Sequence, residues 1–185
     1  MMRANRFFTW VCSLWLISAA SLAADKNITM DTGDVVTIDW GADWVIGTNP
    51  PDSPPGTLTI HGPDATSWRI IVGPLPPHPT LTADAGNLRM YVRWMARGLE
   101  NSGATVDEEP KPFQGRVAKG LYFNAHDGRK KTKAQIKKVG GDFTDAYVGA
   151  MNVGSRPYVF EVDWIKGGEA AANKAFAAVK NLKVK

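Results

Sequence analysis

The sequence predicts an α+β fold, a mainly antiparallel β-sheet with a central helix and a C-terminal helix packed on it as an α/β sandwich. Two observations support this prediction. Short β-type segments lie on both sides of one long segment with helical periodicity. A second segment with an apolar helical stripe closes the chain at Gly168–Lys183. The order of four strands, helix, about four strands and helix favours an antiparallel sheet covered by helices.

The first residues have the features of a secretory signal. Residues 1–23 begin with the basic Arg3 and Arg6, continue with the apolar run Phe7–Ala20, and end on small residues up to Ala23. The apolar run is shorter than the roughly 20 residues that cross a bilayer, so a retained membrane anchor is the less favoured interpretation. We therefore expect cleavage after residue 23 and a periplasmic or secreted protein.

Cleavage at this point would leave residues 24–185, which we expect to form a single α+β domain without a transmembrane segment. The sole cysteine, Cys12, lies in the signal, so the mature chain would have no disulfide and no thiolate ligand or nucleophile. Loss of Arg3 and Arg6 would reduce the formal net charge from +4 to +2. A nearly neutral exported chain is a poor candidate for nucleic-acid binding.

Four short β-type segments precede the central helix, and two proline clusters separate them. Proline removes a donor from the strand ladder, so residues 49–56 and 73–79 are interpreted as surface connections. The predicted strands are Val35–Trp40, Trp44–Thr48, Thr57–His61 and Trp68–Val72.

The central helix is predicted over residues 82–101. Its apolar residues fall on one broad arc, from which the positions expected to be buried are Leu88, Tyr91, Val92, Met95 and Leu99. Arginines occupy a flank that turns away from this arc.

The second half of the chain returns to β-type segments. Tyr158–Ile165 alternates apolar residues with Glu161 and Asp163, which is typical of a strand with one buried and one polar face. Gly154-Ser155-Arg156-Pro157 is a plausible hairpin turn before it. Phe176 is expected to be buried in the closing helix. The predicted strands are Thr105–Glu109, Val117–Ala125, Phe143–Val153 and Tyr158–Ile165.

Several of these segments together resemble the PsbP-type fold. They are Val35–Trp44, the central helix, Gly115-Arg116-Val117-Ala118-Lys119-Gly120 leading into a strand, the closing hairpin and the C-terminal helix. Where such proteins often have Pro-x-x-Trp after the first strand, this chain has Gly41-Ala42-Asp43-Trp44. Members of that fold include photosystem accessory subunits, nuclear-transport cofactors and exported proteins. The resemblance implies non-enzymatic binding or accessory work and brings no shared site with it.

Motifs for metal, cofactor or catalytic chemistry are not visible. The three histidines, His61, His78 and His126, are far apart and lack the spacing of a zinc site. No Gly-x-Ser-x-Gly elbow accompanies them. We therefore expect no metal, no cofactor and no enzymatic activity, with a hydrolase of unrecognised site as a remote alternative.

Two basic features are candidate binding sites. Six basic residues occur within ten positions, which suits an anionic protein, glycan or membrane surface but lacks the aromatic residues of a single-strand nucleic-acid site. A solvated loop is the competing interpretation. The six residues are Arg129, Lys130, Lys131, Lys133, Lys137 and Lys138.

The second basic feature is the arginine ladder, Arg89, Arg93 and Arg97, at helical i, i+4 spacing. Like charges at this spacing destabilise a helix, so an opposite charge is expected nearby. It could come from an acidic ligand or from Asp107-Glu108-Glu109 in the same chain.

The leading hypothesis is thus an exported, non-enzymatic binding or accessory domain that contacts an anionic macromolecule or the cell envelope. The alternative is a small-ligand binder with an aromatic-lined pocket between sheet and helix, for which five tryptophans are available. The two hypotheses predict different surfaces. A flat basic surface would support the binder of an anionic macromolecule, and a deep aromatic pocket would support the small-ligand binder. The tryptophans are Trp40, Trp44, Trp68, Trp94 and Trp164.

Overall fold

The computed structural model describes residues 24–50, 53–75, 87–133, 136 and 142–185. Within them the predicted α+β fold is confirmed, because two antiparallel sheets are combined with two helices. The expected signal at residues 1–23 lies outside the described residues, as do His78, Lys137 and Lys138.

The larger sheet contains eight strands in the order β3-β4-β5-β10-β9-β8-β6, with β7 paired to β8. All of its described pairs are antiparallel. The strands are β3 (Val45–Ile46), β4 (Leu58–His61), β5 (Trp68–Pro74), β6 (Thr105–Val106), β7 (Lys111–Gln114), β8 (Ala118–His126), β9 (Asp145–Val153) and β10 (Arg156–Trp164).

A smaller sheet joins the two ends of the domain. Its order is β1-β2-β11, with β1 at Ala24–Thr29, β2 at Val35–Trp40 and β11 at Lys183–Val184. Strand β1 was not predicted, because the polar start of Ala24–Thr29 lacks strand alternation. It forms through pairing with β2, which places Ile28 in the core.

The β9–β10 hairpin is tighter than predicted. The strands continue to Val153 and resume at Arg156, so the turn consists of Gly154 and Ser155. Gly154 has φ of +64°, the left-handed conformation that a two-residue hairpin turn needs and glycine adopts without strain. Strands β3 and β6 are shorter than predicted, and β7 and β11 are additional.

The two helices pack on opposite faces of the larger sheet. Helix α1 (Leu88–Asn101) covers one face, where Leu88 and Val92 contact a cluster with Phe123 and Val148. Helix α2 (Glu169–Lys180) covers the other face, where Phe176 stacks on Phe160 at 5.7 Å between ring centroids. In the part of the chain that the structure describes, neither helix combines the length and apolarity that crossing a membrane requires.

The burial predicted for the helices is confirmed at Leu88, Tyr91, Val92 and Phe176. It is wrong at Met95 and Leu99, which are only partly buried. Both side chains pack against the cluster on the sheet and also line a cavity at the C-terminal half of α1. The apolar arc therefore extends along the whole helix, but its second half is only partly buried.

Candidate functional site

A cavity of about 540 Å³ lies between the C-terminal half of α1 and the larger sheet. Its walls are mainly apolar, with one tryptophan, one arginine and one glutamate among them. Cavities of this size and character are typical of small-molecule sites. The lining residues are Trp94, Met95, Arg97, Gly98, Leu99, Asn101, Val148 and Glu161.

Glu161 also lines two smaller cavities beside the first. One, of about 180 Å³, includes Arg69, Lys131 and Asp163. The other, of about 140 Å³, includes Val159 and reaches the start of the described segment 53–75. Glu161 therefore lies where the three cavities adjoin.

Glu161, which is partly buried, belongs to a charged network built on two neighbouring strands around the buried Asp163. The register places Asp163 of β10 opposite Arg69 of β5. Arg69 Nε donates to Asp163 Oδ2 at 2.5 Å, and Asp163 is only 2% exposed. The Arg69 guanidinium also lies 4.6 Å from the ring centroid of Phe143, a cation–π distance. Arg69 is thus fixed by a carboxylate and an aromatic ring.

The second carboxyl group changes the protonation of this network. The negative charge of Asp163 raises the pKa of Glu161 well above its ordinary value, and burial and a hydrogen bond with Asp163 act in the same direction. The positive charge of Arg69 opposes this shift. Glu161 therefore retains its proton at pH values at which an exposed glutamate has lost it.

Sequence reasoning missed this network. The alternation of β10 assigned Glu161 and Asp163 to a solvent-facing side, which is wrong for the fully buried Asp163. The signal that could have revealed it is Arg69, which lies on the polar face of a predicted strand beside the apolar Ile71. Apolar residues on a supposedly polar face, Ile71 and Val159, indicate a face covered by another element.

The arginine ladder is neutralised in part by its own chain. Arg89 Nη1 lies 2.8 Å from Glu109 Oε2, and Arg93 also pairs with Glu109. These pairs match the acidic segment named in the sequence analysis. Arg97 has no carboxylate partner among the residues described and lines the cavity beneath α1 instead. The three arginines therefore do not converge on one anion site.

The basic segment is also partly paired. Arg129 Nε lies 2.7 Å from Asp127 Oδ1, and this hydrogen bond is the main reason that the pKa of Asp127 falls to about 2. Lys131 is 14% exposed, donates to the carbonyl oxygen of Phe143, and lies 3.8 Å from Asp127. Lys130 and Lys133 are exposed and make no ion pair with a described residue.

The histidines do not form a common site. His126 Nδ1 lies 2.8 Å from Asp145 Oδ1, but no described hydroxyl group binds this histidine. His61 Nδ1–H donates to the carbonyl oxygen of Gly62 at 2.6 Å. Within the described ranges, no three histidine, aspartate or glutamate side chains are grouped as metal ligands.

Most of the tryptophans lie away from the cavity beneath α1. Trp40, Trp44 and Trp68 form a chain of edge-to-face contacts, with centroid distances of 6.0 and 5.0 Å. Trp44 and Trp68 line a second, more polar cavity of about 720 Å³ beside α2. Trp164 is buried in the core, and Trp94 alone of the five lines the α1 cavity.

Comparison with known proteins identifies a fold relative. The solution structure of cyanobacterial PsbP (CyanoP) from Synechocystis is 11% identical, with a TM-score of 0.52, over 93% of this chain and 99% of that one. A crystal structure of a Bacteroides thetaiotaomicron protein is 14% identical over 81% of this chain and 45% of the other, with a TM-score of 0.36. No family model and no curated protein sequence matches the chain. The first similarity confirms the fold that the sequence resembles.

Proposed function

Starting from this PsbP-type fold, we propose that the chain is an exported, non-enzymatic binding domain whose ligand occupies the cavity beneath α1. The ligand is small and mainly apolar, because the walls are formed by side chains such as Trp94, Met95, Leu99 and Val148. The observation that carries the proposal is this apolar cavity of about 540 Å³ with a titratable group, Glu161, in its wall.

Gly98 is a further feature of the cavity wall. It lies inside α1, where glycine is less favourable than alanine by about 0.8–1.0 kcal/mol. Its φ is not positive, and a Cβ atom added there would meet nothing within 4 Å outside the helix backbone. Neither packing nor backbone conformation requires glycine here. Gly98 is exposed and lines the cavity, so the space in front of it is open.

A substitution at Gly98 tests the proposal directly. N-phenylnaphthylamine, a neutral apolar dye that fluoresces when it leaves water, should bind the wild-type protein. Gly98→Leu places a side chain in the cavity and should weaken this binding about tenfold or more, whereas Gly98→Ala should bind as the wild type does. Absence of dye binding to the wild type, or equal binding by Gly98→Leu, would contradict the proposal.

A second candidate function is binding to an anionic surface, as the sequence analysis expected. We propose that an anionic lipid surface contacts the basic segment through Lys130 and Lys133. Exposed lysines attract such a surface by about 1 kcal/mol each, and these two side chains are not neutralised by described carboxylates. Arg129 and Lys131 contribute less, because Asp127 already pairs with both.

Co-sedimentation with phosphatidylglycerol vesicles over a salt series tests this second function. Lys130→Gln combined with Lys133→Gln should abolish a salt-sensitive association. The matched control is Lys119→Gln combined with Lys166→Gln, which removes the same charge from exposed positions elsewhere. If both double variants sediment alike, the basic segment is an ordinary solvated loop.

A further inference from the structure

Glu161 lines the cavity beneath α1, and its carboxyl group shares one counter-cation with that of Asp163. Glu161 and Asp163 are close enough to hydrogen-bond, and Arg69 is the described cation that pairs with Asp163. Asp163 is buried and Glu161 is partly buried, so two ionised carboxylates beside one guanidinium would leave a poorly hydrated negative charge without a partner, which is costly. The network avoids this cost by keeping a proton on Glu161.

The other charged groups near these carboxyls have partners of their own or face solvent. Lys131, which lines the adjoining cavity, lies 3.8 Å from both Asp127 and Asp142. Asp145 in the same cavity pairs with His126.

On the helix side, Arg97 of α1 lines the cavity beneath α1 but is an exposed side chain. Among the described residues, none of these groups supplies the second positive charge that an ionised Glu161 would need.

We infer that the ligand of this cavity is an amphipathic amine, with its ammonium group on Glu161 and its hydrocarbon part against Trp94, Met95 and Leu99. This inference rests on the proposed function. On binding, Glu161 releases one proton to solvent and the ammonium replaces that proton as the cation of the pair. Its N–H groups donate to the carboxylate in a charge-assisted hydrogen bond, which is stronger than one between neutral groups.

Head-group chemistry can be tested with three ligands that share one hydrocarbon chain. Octylamine, octanol and octanoate are titrated into the wild-type protein by calorimetry at neutral pH. The amine should bind about tenfold or more tightly than the alcohol, and octanoate should bind more weakly than the amine because it brings no positive charge to the Glu161 carboxylate. Titrations in buffers of different ionisation enthalpy should show that protons are released when octylamine binds.

Glu161→Gln supplies the matched variant. The glutamine side chain has nearly the same size as glutamate and can still hydrogen-bond to Asp163, but it cannot ionise. Octylamine and octanol should therefore bind this variant with similar affinity. Glu109→Gln, which removes an exposed carboxylate that pairs with α1, should keep the preference for the amine. If Glu161→Gln does not fold, the proton count of the wild type decides alone.

Each outcome has a distinct meaning. Equal binding of all three ligands, tighter binding of octanoate, or amine binding without proton release would overturn the amine assignment and leave the ligand cavity in place. Failure of all three ligands and of the dye to bind would overturn the proposed function together with the inference.

Discussion

The Nε atom of Arg69 lies 2.5 Å from Oδ2 of Asp163, and the two side chains are 13% and 3% exposed. Removing one member of such a buried pair leaves the other charge without compensation. Arg69→Met, which keeps much of the apolar stem, should therefore lower the free energy of unfolding by about 3–5 kcal/mol. Urea denaturation followed by circular dichroism measures this loss.

The control is a pair with similar chemistry on the surface. Arg156 pairs with Asp34, but its side chain is 53% exposed. Exposed ion pairs contribute little because water screens them, so Arg156→Met should change stability far less than Arg69→Met. Equal losses would show that the Arg69 pair is not desolvated as the structure indicates.

Packing of the two helices gives a second prediction. Leu88 on α1 and Phe176 on α2 are 5% and 6% exposed. Leu88→Ala should cost about 2–5 kcal/mol and Phe176→Ala about 3–5 kcal/mol, through lost burial and the cavity that remains. Met90→Ala, at a helix position that is 53% exposed, should stay within about 0.5 kcal/mol of the wild type. Denaturant midpoints for the three variants test the assignment of the helix faces.

Local periodicity explains what the sequence could predict. The apolar arc of α1 identified the burial of Leu88, Tyr91 and Val92, and the alternation of β10 identified its core face. These features repeat within one segment, so no knowledge of neighbours is needed. The short strand β7 at Lys111–Gln114 was missed, because its structure depends on pairing with β8.

The candidate site depended on contacts between segments far apart in sequence. Asp163 and Arg69 are 94 residues apart, and only the sheet register brings them together. Alternation within β10 shows that Glu161 and Asp163 share a face, but it does not show that α1 stands over part of that face. The same limitation explains why Met95 and Leu99 were expected in the core rather than at a cavity.

Processing of the N-terminus gives a third prediction. The signal features of residues 1–23 favour cleavage after Ala23, so the exported protein should begin at Ala24 or within a residue or two of it. Intact mass measurement and N-terminal sequencing of protein from the producing cell test this expectation. A dominant full-length species anchored in the membrane would contradict it.

Acid should destabilise the protein through Asp127. Its hydrogen bond with Arg129 lowers the pKa of Asp127 from 3.8 to about 2. The stability from this depressed pKa is fully present above about pH 4 and is lost as the pH falls through about 2. Asp127→Asn should flatten the decrease in unfolding free energy across this range, and Arg129→Gln should do the same. Unchanged acid slopes in both variants would contradict the assignment.

Glu161 should lower the stability of the protein as the pH rises, whereas Asp127 lowers it as the pH falls. Its pKa is raised in the folded state, chiefly by the charge of Asp163, so the unfolded chain loses this proton first as the pH rises above about 4.5. Wild-type stability should therefore fall with rising pH until the folded state also loses the proton. Glu161→Gln has no proton to lose and escapes this penalty. Its unfolding free energy relative to the wild type should increase as the pH rises above about 4.5, as measured by urea unfolding at several pH values. A difference that stays constant over this range would mean that Glu161 ionises normally and that the carboxyl pair does not hold a proton.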